Sequence, residues 1–127
     1  MAWVTIVAVL ALIQYTAFGM LVGKARMTYK IDAPAVHGDP VFERYYRVHM
    51  NTLESLLFFL PSLFLFVQYF NPLLGAGLGA VFLIGRQLYF FSYIKDPASR
   101  GPGFALTLLP SLFMAIGAAA GAIQSML

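Results

Sequence analysis

In 127 residues the chain is 61% hydrophobic and only 10% charged, against roughly 25% charged in a soluble domain, which argues against a water-soluble fold and leaves room for about four membrane spans of ~20 residues. The formal net charge of +3 gathers around those spans, so it reflects membrane topology and not the basic surface of a nucleic-acid-binding protein. There is no cysteine, hence no disulfide framework, no thiolate metal site and no thiol nucleophile in the chain itself.

The first apolar run covers about residues 2–23, with Trp3 near one end as an interfacial anchor. Its length and the absence of a basic leader predict a retained span, not a cleaved signal peptide. A polar connection over residues 24–44 contains Pro34, Gly38 and Pro40 and is expected to be irregular or partly extended. The second helix is predicted over 45–70, with a kink at Pro61 unless its neighbours satisfy the freed carbonyl. Asn71 and Pro72 supply a cap and a first helical residue for a third helix reaching about residue 94. Pro97, Gly101, Pro102 and Gly103 mark the next turn, and a fourth helix is predicted over 104–124 with a second kink at Pro110. The expected fold is one all-α domain over residues 1–127, an integral membrane bundle of four antiparallel up-down spans.

All eight basic residues flank or enter the first and third of these connections: Lys24, Arg26, Lys30, Arg44 and Arg47, then Arg86, Lys95 and Arg100. Alternating spans put both connections on one side, which the positive-inside rule makes cytoplasmic, with both termini opposite. Glycines recur at four-residue spacing in Gly19 and Gly23, Gly75 and Gly79, Gly117 and Gly121. Such pairs let helices approach closely, either within one bundle or between subunits. The run Gly75-Ala-Gly77-Leu-Gly79 follows no strand and lies in an apolar helix, so it is not read as a nucleotide loop.

Against this apolar background Arg47, Asn51 and Glu54 stand out. At 100° per residue they fall within roughly 60° of one helical face. Polar groups aligned on a span should face protein or a polar cavity, because hydrocarbon penalises them. Arg86, Tyr89 and Tyr93 make a second such face. Arg47 and Arg86 can fork onto carboxylates, Glu54 can accept from an ammonium group, and Asn51 can donate or accept. The set suits a small zwitterion. It equally suits an internal network in which Glu54 pairs with an arginine of a neighbouring helix. Arg100, in a Gly/Pro-flanked turn, is either an interfacial arginine or a cation beside a substrate anion. His37 and His49 are too separated to suggest a metal site, and no metal is expected. Tyr45, Tyr46 and Tyr69 join Trp3 as expected interfacial residues.

The run from Phe42 through Arg47 and Asn51 to Glu54, with Gly85-Arg86-Gln-Leu-Tyr89-Phe-Phe-Ser-Tyr93, closely resembles the MAPEG family of membrane-associated proteins in eicosanoid and glutathione metabolism. Within that family the likeness is to the branch of microsomal glutathione transferase type 2 and leukotriene C4 synthase, and it extends over nearly the whole chain. The resemblance implies a homotrimer of four-helix subunits binding glutathione between subunits near the cytoplasmic face. It places Arg26, Arg47, Asn51, Glu54, Tyr89 and Tyr93 in glutathione binding, beside Arg86 from the reading above. It gives Arg100 the role of stabilising the glutathione thiolate. His49 and Ser55 depart from the pattern, standing where the synthase has glutamine and tyrosine, and the chain is shorter after its last span. The implied reaction is detoxifying conjugation of glutathione, as co-substrate, to a lipophilic electrophile from the membrane lipids, or reduction of a lipid hydroperoxide. Two rivals are a lipid-binding scaffold of the same fold and a small four-span multidrug-type transporter. The arginines beside Glu54 make a poor setting for a carboxyl that must trade protons, which weakens the transporter.

Overall fold

The computed structural model describes all residues, 1–127, and contains four long helices and no strands. They are α1 (Ala2–Tyr29), α2 (Pro40–Phe66), α3 (Pro72–Lys95) and α4 (Gly101–Met126), with a 3-10 turn at Pro97–Ser99 before α4. Each of the four is long and apolar enough to cross a membrane.

The helix ends differ from those expected. The connection predicted irregular over 24–44 shrinks to the stretch between Tyr29 and Pro40, because both flanking helices run past the apolar segments. α1 stops where Lys30 turns left-handed (φ 58°, ψ 48°) and its N–H bonds back to the Arg26 carbonyl. α2 starts at Pro40 because the Asp39 carboxylate accepts from the N–H groups of Val41 and Phe42, at 2.9 and 3.0 Å, ahead of a proline that needs no donor partner. At its other end α2 gives way after Phe66, short of the expected residue 70. The chain there must turn back, and the Asn71 side chain accepts from Leu73 N–H at 2.8 Å to open α3 at Pro72. α4 begins at Gly101, earlier than expected, following a turn held by Asp96 and Ser99. α2 and α4 continue through Pro61 and Pro110.

The core lies among the bundle's facing apolar stripes. Phe59 of α2 stacks on Phe82 of α3 with ring centroids 3.9 Å apart, and Val4, Val7, Leu63 and Met114 close around them. Outward residues such as Leu57, Ile84 and Ile116 are more than 60% exposed, an apolar belt suited to lipid contact. Of the six paired glycines, five face groups of the same chain: Gly19 meets His49, Gly75 meets Val67, Gly79 meets Val7 and Phe59, Gly117 meets Phe66 and Gly121 meets Tyr69. Only Gly23 has open space beside it.

The closest backbone approach is elsewhere, between α3 and α4. A Cβ on Gly103 would lie 2.6 Å from the Tyr89 Cα, and one on Gly85 would lie 2.7 Å from the Leu106 carbonyl carbon. Gly103→Val should therefore force α4 off α3 and lower stability by about 1–3 kcal/mol, the usual range for overpacking. Thermal unfolding in detergent measures this, with Gly77→Ala, whose surroundings are open, as a control that should shift the midpoint little.

Candidate functional site

The Asp39 cap and Pro40 fix where α2 begins, and the helical repeat then carries Arg47, Asn51, Glu54 and Ser55 onto neighbouring positions of one face. Arg47 Nη1 lies 3.2 Å from Glu54 Oε1, and the two side chains are 51% and 60% exposed. An ion pair so open to solvent contributes only ~0–1 kcal/mol. It holds the two charges in place yet yields readily to a ligand carrying both signs. The carboxylate's partner is thus an arginine of its own helix, not of a neighbour.

Arg86 is placed very differently. It is 0% exposed, the bulkiest of the fully buried side chains. Its Nη1 donates to Asn51 Oδ1 at 2.8 Å and to Ser55 Oγ at 3.0 Å. The guanidinium carbon lies 4.3 Å from the centroid of the Tyr89 ring, an attractive cation–π contact. No salt bridge reaches it, and its Nε and Nη2 are buried without a partner. The expected open clamp for a carboxylate is therefore not what Arg86 forms: desolvated and covered, it ties α3 to the polar face of α2.

Tyr89 is 3% exposed and stacks on the half-buried Tyr93, with centroids 5.5 Å apart. Tyr93 and Arg47 help line a cleft of about 330 Å³ with His37, Glu43, Arg44 and Tyr46, and His37 Nδ1 stands 3.7 Å from Glu43 Oε1. In one chain the structure thus assembles Arg47, Asn51, Glu54, Arg86, Tyr89 and Tyr93 along the facing polar stripes of α2 and α3. Arg26 is engaged apart from them. Its Nη1 donates to Ala35 O at 2.7 Å and its guanidinium lies 5.1 Å from the Phe42 ring, clipping the first connection to α2. Arg100 is exposed and donates to Pro97 O at 2.9 Å. The contact of Gly103 with Tyr89 sets Arg100, just ahead of α4, above the tyrosine end of α3.

Two contributors were not singled out by spacing alone. Ser55 is one helical turn from Asn51 and shares its guanidinium partner; the four-residue interval was available as a signal. Arg44 donates to the carbonyls of Ile94 and Lys95, at 2.8 and 3.4 Å, satisfying the open end of α3 from α2. No local pattern announces that long-range cap. His49 lies outside the polar cluster: it stacks on Tyr15 at 4.5 Å over Gly19, in the seam between α1 and α2. Of the expected interfacial residues, Trp3 and Tyr69 are exposed, whereas Tyr45 packs edge-on against Phe90 and Tyr46 stacks on Phe42.

The sequence matches the family model described as the MAPEG family over residues 4–120. It is 44% identical over 116 residues to an uncharacterised protein of Synechocystis, covering 91% of this chain and 85% of that one. To microsomal glutathione S-transferase 2 of Homo sapiens it is 40% identical over 102 residues, covering 80% and 69%. To leukotriene C4 synthase of Cavia porcellus it is 32% identical over 94 residues, covering 74% and 63%. With four membrane-length helices, a polar face shared by α2 and α3, and a match along nearly its full length, this integral multi-pass membrane protein belongs to the MAPEG family.

Proposed function

We propose that the chain is a membrane-embedded glutathione transferase. The observation carrying this reading is the half-exposed Arg47–Glu54 pair beside Asn51, opposite charges held ready on a membrane helix. Glutathione offers two carboxylates, one ammonium group and a thiol. Arg47 takes a carboxylate through a charge-assisted fork, and Glu54 accepts from the ammonium. Asn51, Tyr89 and Tyr93 add neutral hydrogen bonds, while Arg26, at the first connection, and Arg86, behind Asn51, supply further positive charge. The transferase name borne by the human relative agrees with this ligand.

Arg100 is the proposed catalytic residue. A free thiol titrates near about 8.5, and lowering that by ~2 units needs about 2.7 kcal/mol of preference for the thiolate. Arg100 is exposed in the single chain, and its guanidinium supplies energy of that order once bound ligand and a neighbouring subunit desolvate it. The thiol proton leaves to solvent, and the sulfur lone pair forms a carbon–sulfur bond with a lipophilic electrophile from the bilayer. The bond that breaks is the one to the leaving group, or the strained carbon–oxygen bond of an epoxide, whose oxygen then takes up a proton. With a lipid hydroperoxide the thiolate instead attacks the terminal oxygen, the O–O bond breaks and the alkoxide takes up a proton to leave as the alcohol; a second glutathione thiol then displaces water from the resulting sulfenic acid to form the disulfide.

The assembly proposed is a homotrimer of antiparallel four-helix subunits with glutathione shared between them, and with the first and third connections in the cytoplasm. The clustering of basic residues at those connections supports the orientation, and the outlying positions of Arg26 and Arg100 are consistent with residues contributed across a subunit boundary. His37→Cys and Ala98→Cys, on this cysteine-free background, should be labelled by an impermeant reagent only from the cytoplasmic side. Labelling of both from the opposite side would reverse the topology. Native mass spectrometry in detergent should show three copies, and a monomer binding glutathione at full affinity would refute a shared site.

Binding and chemistry separate at two arginines. Arg100→Ala should leave glutathione affinity within a few-fold while raising the bound thiol's titration midpoint, followed by ultraviolet thiolate absorbance against pH. Losing ~2.7 kcal/mol of thiolate stabilisation is about a hundredfold change in the thiol's acid dissociation constant, and from a midpoint of about 6.5 back to about 8.5 it is roughly a 25-fold fall in thiolate at about pH 7. Turnover of a model aryl halide should fall by less, since a more basic thiolate is intrinsically more nucleophilic. Arg47→Ala should instead weaken binding itself, read by calorimetry. Unchanged titration and turnover in Arg100→Ala would return that residue to an interfacial role.

A further inference from the structure

We infer that Arg86 is a positioning residue that fixes the Asn51 amide as a hydrogen-bond donor, aiming it at a carboxylate of the peptide ligand; this deepens the glutathione reading above and rests on it. The geometry begins with the burial of Arg86. At 0% exposure the guanidinium is sealed behind α2 and under the Tyr89 ring, so beyond its charge it reaches a ligand on the α2 face only through the groups it touches. Its one engaged nitrogen, Nη1, is shared by Asn51 Oδ1 at 2.8 Å and Ser55 Oγ at 3.0 Å.

An isolated asparagine amide is ambivalent, since its oxygen accepts and its nitrogen donates, and the two ends exchange by a half-turn of the terminal torsion. Beside a guanidinium that freedom disappears. The arginine is donor-only, so turning the amide nitrogen toward it would set donor against donor in a desolvated space and strand a buried cation. Oδ1 is therefore committed to Arg86. The nitrogen makes no hydrogen bond within the chain and, unlike Arg86 Nε and Nη2, is not among its buried unpartnered atoms. It remains as a fixed pair of donors on the face that Arg47 and Glu54 share. Ser55 Oγ likewise accepts from Arg86, so the arginine orients both members of one helical turn. Arg47 and Asn51 then present donors together, while Glu54 is the acceptor on that face. This arrangement matches the α-amino-acid end of a γ-glutamyl peptide, where a carboxylate and an ammonium sit on one carbon.

The test uses full-length protein in detergent, with glutathione binding by calorimetry and thermal unfolding measured on the same preparations. Asn51→Asp exchanges the amide's donors for acceptors while giving Arg86 a carboxylate to hold. Glutathione should bind at least about tenfold more weakly, the loss of one charge-assisted hydrogen bond, with an unfolding midpoint no lower than that of the wild type. Binding within twofold of wild type overturns the donor assignment. A joint fall in affinity and stability overturns it too, assigning the pair to packing alone. Arg86→Met, made in the wild-type and Asn51→Ala backgrounds, tests whether the arginine acts through Asn51. Its effect on affinity should shrink below about twofold in the second background, and equal losses in both would refute the positioning role. Wild-type protein that binds no glutathione ends the functional reading along with this inference, whereas wild type that binds as well as Asn51→Asp ends the inference alone.

Discussion

A guanidinium shut away from water organises the middle of this bundle. Stripping an arginine of its hydration costs several kcal/mol even after the surroundings relax, and Arg86 meets no carboxylate in return. Two charge-assisted hydrogen bonds, each contributing roughly 1.5–3 kcal/mol, and a cation–π contact of up to about 2 kcal/mol offset that cost. All three partners must hold their positions for the balance to stand: Asn51 and Ser55 on α2, and Tyr89 one turn along α3. The register between α2 and α3 is consequently specified by polar chemistry in a place where apolar packing alone would allow helices to slide.

The rest of the fold serves that register. Arg44 reaches from the start of α2 to the last carbonyls of α3, fixing the same two helices at their polar ends. Phe59 stacked on Phe82 fixes them deeper in the bundle. Behind α3, the glycines at 85 and 103 let α4 come close enough to touch its backbone, so Tyr89 is held by α4 on one side and by Arg86 on the other. Polar groups between α2 and α3 are graded by depth. The Arg47–Glu54 pair is loose and solvated, Asn51 and Ser55 are half-buried, and Arg86 is sealed. Such a gradient puts the exchangeable interaction where solvent has access and the fixed one where it cannot be disturbed.

Much of this was legible in the sequence, and the parts that were not share a cause. Four apolar segments, the Asn71-Pro72 start and the polar faces of α2 and α3 follow from composition and from a 100° repeat. Helix ends did not, because the charges of residues 24–30 and 40–44 mark where the chain leaves hydrocarbon, while Asp39 and Lys30 decide where helical geometry begins and stops. Arg86 was visible as a polar residue on a span, but whether its fork opens to a cleft or into the protein depends on how α2 lies against α3. The same holds for Arg44, whose partners are some fifty residues away. Paired glycines were seen by their spacing, yet the close contacts to another helix's backbone use single glycines on two different helices, a match no one-dimensional pattern records.

The two departures from the family pattern acquire physical meaning in this setting. His49 is held by Tyr15 and by the space above Gly19, so its ring is committed to the α1–α2 seam within the chain. Ser55 borders a small recess of about 30 Å³ between α2 and α4, lined also by Phe58, Thr107 and Ser111. A tyrosine at 55 would have to displace that lining or turn outward, and its oxygen would sit several ångströms farther from α2 than the hydroxyl that Arg86 now holds. A short side chain keeps the acceptor next to the helix backbone, within reach of an arginine anchored on α3. The serine is thus matched to the buried arginine, whose Nη1 it shares with Asn51.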